Sequence, residues 1–369
     1  MSQFEAQPGI DVLYKKNETN DIFTLIYVFN TGTENDPALN LAFNYLSYLG
    51  TDKMTAEEIA SEMYDIACSF YMNAGANQSS IQITGLSENM GKAMEIVEGL
   101  IAGAKPDEAI LENLKGDMLK SRADAKLNQS RCFGALQRYL FYGGDFIRRT
   151  TLTDPALQAL TSEQLLAKIG GLMGKQHEVL YYGPQKETEI KSALAEHHKV
   201  AADLQPLEKK FSALLPTDAN KVVLAQYDAK QLYYLQFSNR GEKFDVAADP
   251  EITLYNEYFG GGMNTIVFQE MREARGLAYS AWATLATPSN ANGDYSYYAF
   301  IATQNDKMQK AVEAFDDIIN NMPESEKAFG IAKEALVSRL RTERTVKDGV
   351  FFGSRAARRL ICAARYAAP

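Results

Sequence analysis

Two stretches of the 369-residue chain repeat one another in order. Asp36-Pro37 opens an apolar helical run through Leu39, Phe43 and Leu46 that ends at Gly50, and Asp249-Pro250 opens another through Ile252, Leu254 and Tyr258 that ends at Gly260. Aspartate at the N-cap accepts an orphan backbone N–H, and proline at the first helical position has its φ already set, so each pair predicts a helix start. The offset between the pairs is 213. Met90-Gly91-Lys92-Ala93 resembles Met308-Gln309-Lys310-Ala311 at an offset of 218. Both open runs with apolar residues at helical spacing, Ala93, Ile96, Val97, Leu100 and Ile101 against Ala311, Phe315, Ile318 and Ile319. Pro106 then matches Pro323, Ser121-Arg122 matches Ser338-Arg339 and Phe133-Gly134 matches Phe352-Gly353, at offsets of 217, 217 and 219. A collinear series with small drifts is what a duplicated domain with loop insertions produces.

Each copy carries an apolar strand (23–29; 233–237), the Asp-Pro helix and a second helix, then two strands, the later one alternating (Ile81, Ile83; Tyr295, Tyr297), and two long helices. Strands grouped with helices, without strict alternation, predict an α+β fold: two repeated domains, each a mainly antiparallel sheet with helices packed on one face. The expected boundaries are 1–205 for the first domain, 206–220 for a linker holding Pro206, Pro216 and Lys209-Lys210, and 221–369 for the second. After Phe133-Gly134 the first copy continues through a capping-box helix start at Thr161 with Gln164 and an apolar strand over 179–182. After Phe352-Gly353 only 16 residues follow, with Arg355, Arg358, Arg359 and Arg365 and no acid beyond Asp348. The second copy therefore reads as C-terminally incomplete, and whether its last ~15 residues are native sequence stays open.

The charge balance narrows the function. Lys plus Arg is 38 against 47 for Asp plus Glu, a net charge of −9. A polyanion binder needs a basic footprint, so nucleic acid and anionic membrane surfaces are not expected partners. Cys68, Cys132 and Cys362 are far apart, odd in number and without a C-x-x-C spacing; they read as buried free thiols. The first residues, Met-Ser-Gln-Phe-Glu, lack a basic and then apolar signal peptide. Apolar runs such as 22–29 are strand-sized, so no membrane span is expected. The compartment, periplasmic or cytoplasmic, is left open. Charge runs such as Glu57-Glu58 and Asp316-Asp317 read as solvated helix faces.

One segment is more specific. Phe268-Gln-Glu-Met-Arg272-Glu-Ala-Arg-Gly276-Leu-Ala-Tyr279 follows the glycine turn Gly260-Gly261-Gly262 and precedes a strand near Trp282. Within a duplicated α+β domain of about 200 residues it resembles the insulinase/pitrilysin family of zinc metallopeptidases, and the resemblance covers nearly the whole chain. Members pair two halves, each of two such domains, into a clamshell around an unfolded peptide. Catalysis lies in the first domain, on an inverted His-x-x-Glu-His helix with a later glutamate completing the zinc site. The resemblance implies that this chain is the C-terminal, non-catalytic half. Its implied partners are an N-terminal half carrying His-x-x-Glu-His, in the same polypeptide or a separate subunit, and an unfolded peptide substrate.

Counting back from Gly50, the His, Glu and His positions of that motif hold Leu41, Asn44 and Tyr45; at an offset of 213 the second copy holds Leu254, Glu257 and Tyr258. Zinc needs three converging nitrogen, sulfur or carboxylate ligands and an open position, so no cofactor is expected in this chain and zinc belongs to the N-terminal half. His177, His197 and His198 are expected as surface or loop residues. The resemblance assigns substrate binding to Arg272 and Tyr279, whose guanidinium and phenol can donate to a peptide carbonyl. Read without it, they are a helix-end arginine in a surface pair and a core tyrosine. Arg275 is expected to pair with Glu270 or Glu273. Gly260-Gly261-Gly262 lacks the Lys-Ser/Thr of a phosphate loop and reads as a helix C-cap. Tyr233, Tyr234, Tyr295, Tyr297 and Tyr298 read as strand aromatics packed on helices. Two rival functions remain, a non-peptidase scaffold or assembly subunit and a stand-alone peptide-binding module of the same fold.

Overall fold

The computed structural model describes residues 1–207, 212–344 and 347–356. Lys209, Lys210, Arg358, Arg359, Cys362 and Arg365 fall outside them. The chain divides into two compact units that are each discontinuous. Unit 1 comprises Met1–Ala125, Gly144–Ser212 and Val346–Phe351; unit 2 comprises Lys126–Gly143, Ala213–Thr345 and Phe352–Pro369.

Unit 1 begins with strands β1 (Ser2–Gln7), β2 (Ile10–Lys16) and β3 (Ile22–Phe29). Helices α1 (Leu39–Leu46) and α2 (Ala56–Asp65) lead into β4 (Cys68–Ala74) and β5 (Ser79–Leu86), and then α3 (Met90–Gly103) and α4 (Glu108–Lys126). Helix α5 (Gln129–Thr150) is broken at Gly143, whose φ of 80° and ψ of 175° are not helical, and the two units part company at this residue. Then follow α6 (Asp154–Ala159), α7 (Ser162–Met173), β6 (His177–Gly183) and α8 (Glu187–His197). The sheet order is β1-β2-β6-β3-β5-β4, antiparallel at every pair except β2–β6.

Alternation along β3 explains the packing. Phe23, Leu25, Tyr27 and Phe29 point to one face, where they join Ile81, Ile83, Val179 and Tyr181 beneath the helices. Ile26 and Val28 point to the other, where with Leu13 and Leu180 they meet Phe351, itself 0% exposed. The α7 start carries the expected capping box, Thr161 Oγ1 accepting from Gln164 N while Gln164 Oε1 accepts from Thr161 N.

Unit 2 holds β7 (Gln231–Ser238), α9 (Asp249–Phe259), the short α10 (Ile266–Phe268) running into a π-helical turn at Gln269–Ala274, β8 (Ser280–Ala286), β9 (Ser296–Gln304), α11 (Met308–Asn320) and α12 (Glu326–Thr342). Its sheet is antiparallel with order β7-β9-β8. One face, with Ala281, Ala283, Ala299 and Ile301, packs against Val267, Met271, Phe315 and Ile318. On the other face the first part of α5 is laid down: Phe133 lies 5.4 Å from Tyr233 and 5.8 Å from Phe300, and Phe141 lies 4.8 Å from Phe237 and 5.1 Å from Tyr298. The α+β architecture with helices on one face is thus present, and part of the opposite face is covered by Phe351 in unit 1 and by the first part of α5 in unit 2.

The aspartates do not cap as expected. Helix α9 begins with Asp249 inside its first turn, and α1 begins at Leu39, beyond Pro37. Asp36 instead accepts from Ala38 N at 3.0 Å through Oδ1 and pairs with Lys168 Nζ at 2.5 Å through Oδ2. The turn it closes delays the helix by one residue after the proline.

Candidate functional site

The segment singled out in the sequence forms one compact turn. Thr265 is held by its hydroxyl on the Gly262 carbonyl at 2.6 Å, and α10 and the π-helical turn follow from it. Burial of Ile266, Val267 and Met271 in the core leaves Phe268, Arg272 and Arg275 outward. The extra residue of the π turn brings Arg275 N onto Glu270 O at 3.2 Å, and Gly276 then reverses the chain at φ +57°. Leu277 N and Ala278 N both donate to Met271 O, at 2.9 and 3.2 Å. Thr303 Oγ1 donates to Leu277 O at 2.6 Å, and Tyr279 N donates to Ala302 O at 2.9 Å, which locks the turn to β9.

This brings Arg272 and Tyr279 together. The Arg272 guanidinium lies 5.1 Å from the Phe268 ring centroid and 5.1 Å from that of Tyr279, within cation–π range of both. Tyr279 is 70% exposed and the Arg272 side chain 41% exposed. Tyr279 is therefore not a core tyrosine. Arg272 Nε lies 3.6 Å from Glu273, while Arg275 takes Glu270 at 3.4 Å, so the two arginines use separate acids. The arrangement offers guanidinium donors beside a solvent-facing phenol, a surface suited to carbonyl oxygens. Sequence reasoning did not single out Phe268 as the second ring beside that guanidinium, although it stands four residues before Arg272 on one helical face.

The positions corresponding to the zinc motif are elsewhere, in α1. Leu41 is core, Asn44 is exposed and Tyr45 is 0% exposed. The Tyr45 hydroxyl lies 2.8 Å from Ser162 Oγ and accepts from Asp107 N at 2.7 Å, so it anchors α1 to α4 and α7. An apolar side chain, an amide and an engaged phenol do not fit a zinc ion. Among the described residues no group of three or more His, Cys, Asp or Glu side chains comes together to hold a metal.

The histidines contradict the surface reading. His177 and His198 are 4% and 6% exposed and belong to one buried network. His177 Nε2 lies 2.9 Å from His198 Nε2, and His177 Nδ1 lies 2.7 Å from Lys175 O. His198 Nδ1 lies 2.5 Å from Glu98 Oε1, which also accepts from the Tyr27 hydroxyl at 2.9 Å, while Lys199 N donates to Glu98 Oε2 at 2.7 Å. Burial pushes His177 down from 6.5 to about 4 and pushes Tyr27 well above the usual phenol range. His197 takes Glu95 at 3.2 Å and is itself largely covered. Cys68 is buried as expected, but Cys132 is only half-buried.

Residues 176–336, which contain the whole turn from Thr265 to Tyr279, match the family model described as the peptidase M16 inactive domain. That segment, somewhat under half of the chain, resembles the M16 peptidase family. An uncharacterized zinc protease of Streptomyces coelicolor is 23% identical over 266 residues, 67% of this chain and 56% of that protein, so the match spans little more than half of the relative's length. Among solved structures, the M16 inactive domain from Pseudomonas fluorescens shares the fold at a TM-score of 0.75 and 18% identity, covering 97% of this chain and 87% of that one. A mutant of the ferredoxin protease FusC, in complex with Arabidopsis ferredoxin, shares it at 0.70 and 11% identity, covering 90% of this chain and 37% of FusC. The chain thus aligns with only part of these two longer proteins. Among its described residues no helix is long and apolar enough to cross a membrane.

Proposed function

We propose that this chain is an M16-type, non-catalytic, substrate-binding half of a zinc endopeptidase. In this reading it closes a chamber around an unfolded peptide, while hydrolysis takes place on a His-x-x-Glu-His domain outside the chain, which also supplies the zinc. The observation that carries the proposal is the adjacent and exposed Arg272–Tyr279 pair on a turn locked to the sheet. Arg272, within cation–π range of both rings, donates to peptide carbonyls from a side chain that these contacts already restrain. Tyr279 donates through its hydroxyl to a carbonyl oxygen, and that bond strengthens as the oxygen becomes an oxyanion. A ferredoxin-bound relative of the same fold supports a polypeptide as the class of ligand.

The test is steady-state peptide hydrolysis by this chain combined with its catalytic half, with assembly checked independently by size. Tyr279→Phe keeps the ring against Arg272 and deletes only the hydroxyl; it is expected to lower kcat up to about 100-fold, at the low end of a lost oxyanion donor, with little change in KM. Arg272→Lys keeps charge but loses the plane and should raise KM. Wild-type kcat and KM in an assembled Tyr279→Phe complex would refute the assignment. An assembled complex of wild-type halves that hydrolyses nothing would favour the scaffold reading instead.

A further inference from the structure

The buried network of unit 1 has a definite proton count. The carbonyl of Lys175 can only accept, so His177 Nδ1 donates to it. Glu98 accepts the Tyr27 hydroxyl and the Lys199 N–H on its two oxygens, and His198 Nδ1 donates to it as a third donor. Both Nδ1 atoms therefore carry protons, and the facing Nε2 atoms, 2.9 Å apart, are joined by one more. Three protons on two imidazoles leave one positive charge, balanced by the Glu98 carboxylate. A fourth proton sets N–H against N–H and adds a second buried charge with no second anion to meet it.

The charged and titratable groups around the pair are few. Glu98 faces it from α3 and Tyr27 from β3, whose ring centroid is 4.2 Å from that of His198; Lys199 contributes only its backbone N–H. Strand β2 offers Ile10 opposite His177, and β3 adds the Phe29 ring at 4.7 Å. Among the described residues shown in contact with the pair, Glu98 is the one carboxylate.

The bond joins the first residue of β6 to the residue after α8. Strand β6 is ladder-bonded on both sides, to β2 and β3, and does not depend on it. Helix α8 has no ladder. Beyond His198 the chain rejoins the start of β6 through Gln205, whose N–H donates to Gly174 O at 3.0 Å and whose carbonyl accepts from Gln176 N at 2.9 Å, and through Leu204, which is buried in the unit 1 core. We propose that the His177–His198 bond is an acid-released latch that holds helix α8 and the segment after it on the unit 1 sheet. That bond is lost as pH falls from 6.5 toward 4, because a free His177 takes the extra proton more readily than the buried one.

Hydrogen exchange on the whole chain, read by mass spectrometry from pH 7 to pH 4 and corrected for the intrinsic rate, tests this. Opening of residues 187–205 is expected to grow by about tenfold per pH unit below 6.5, while β3 keeps its protection. His177→Gln places an uncharged amide at the Nε2 position and should abolish the pH-dependent step. Unchanged protection of 187–205 down to pH 4, loss at the same pH in wild type and His177→Gln, or simultaneous loss of β3 and α8 would each overturn the latch. Should His177→Gln not fold, imidazole NMR of the wild type decides, since the chain has only three histidines. Titration of His177 near 4 together with loss of α8 protection supports the latch; titration in the ordinary range near 6.5 refutes it.

Discussion

Gly276 and Gly260 sit at the two ends of the turn that presents Arg272, for different reasons. Gly276 has φ +57° and open space around its α-carbon, so Gly276→Ala costs only the left-handed backbone, about 1 kcal/mol, and should lower the melting temperature of unit 2 by a few degrees. Gly260 has an ordinary φ, but a Cβ there would lie 1.9 Å from Ala283 O, so Gly260→Ala should cost about 3 kcal/mol or more in denaturant unfolding. Gly261→Ala, whose nearest atom would be 3.3 Å away, is the control and should be mild. The glycine turn and the seven-residue spacing of Arg272 and Tyr279 are legible in the sequence because the turn is local. The histidine network is not: His177 and His198 stand 21 residues apart, and Glu98 a further 79 before His177. No short-range pattern distinguishes a buried imidazole whose partners come from other elements from one in a loop.

At the scale of elements, the strand and helix order recurs because each piece carries its own periodicity. The order β3, α1, α2, β4, β5, α3, α4 reappears as β7, α9, α10, β8, β9, α11, α12. What the pattern cannot reveal is which element covers the second face of each sheet, since an apolar stripe does not name its partner. Phe351 lies in the second copy by sequence yet is fully buried in unit 1 against Leu13, Ile26 and Leu180. Phe351→Ala should therefore destabilise unit 1 by about 3–5 kcal/mol, read as faster exchange in β3 and β6 with β9 less affected. Phe133→Ala, half-buried in the first copy by sequence, should instead loosen β7 and β9 by about 1–3 kcal/mol. The reverse pattern would show that the packing does not follow these units.

At the scale of the whole molecule, the donor set in α1 predicts how the isolated chain behaves. Leu41 and Tyr45 are spent on the core, so the purified chain should bind no stoichiometric zinc and show no chelator-sensitive peptide hydrolysis on its own. Metal analysis and a chelator-controlled peptide assay check this; one zinc per chain with hydrolysis would overturn it. The two discontinuous units also impose an order on synthesis. Every strand of the unit 1 sheet has emerged once residue 183 is made, but Phe351 comes 168 residues later. At roughly 5–20 residues per second that is a delay of roughly 10–30 s. Through that interval Leu13, Ile26, Val28 and Leu180 form a finished but uncovered strip on the nascent protein, the stretch of its life in which a holdase has the most to grip.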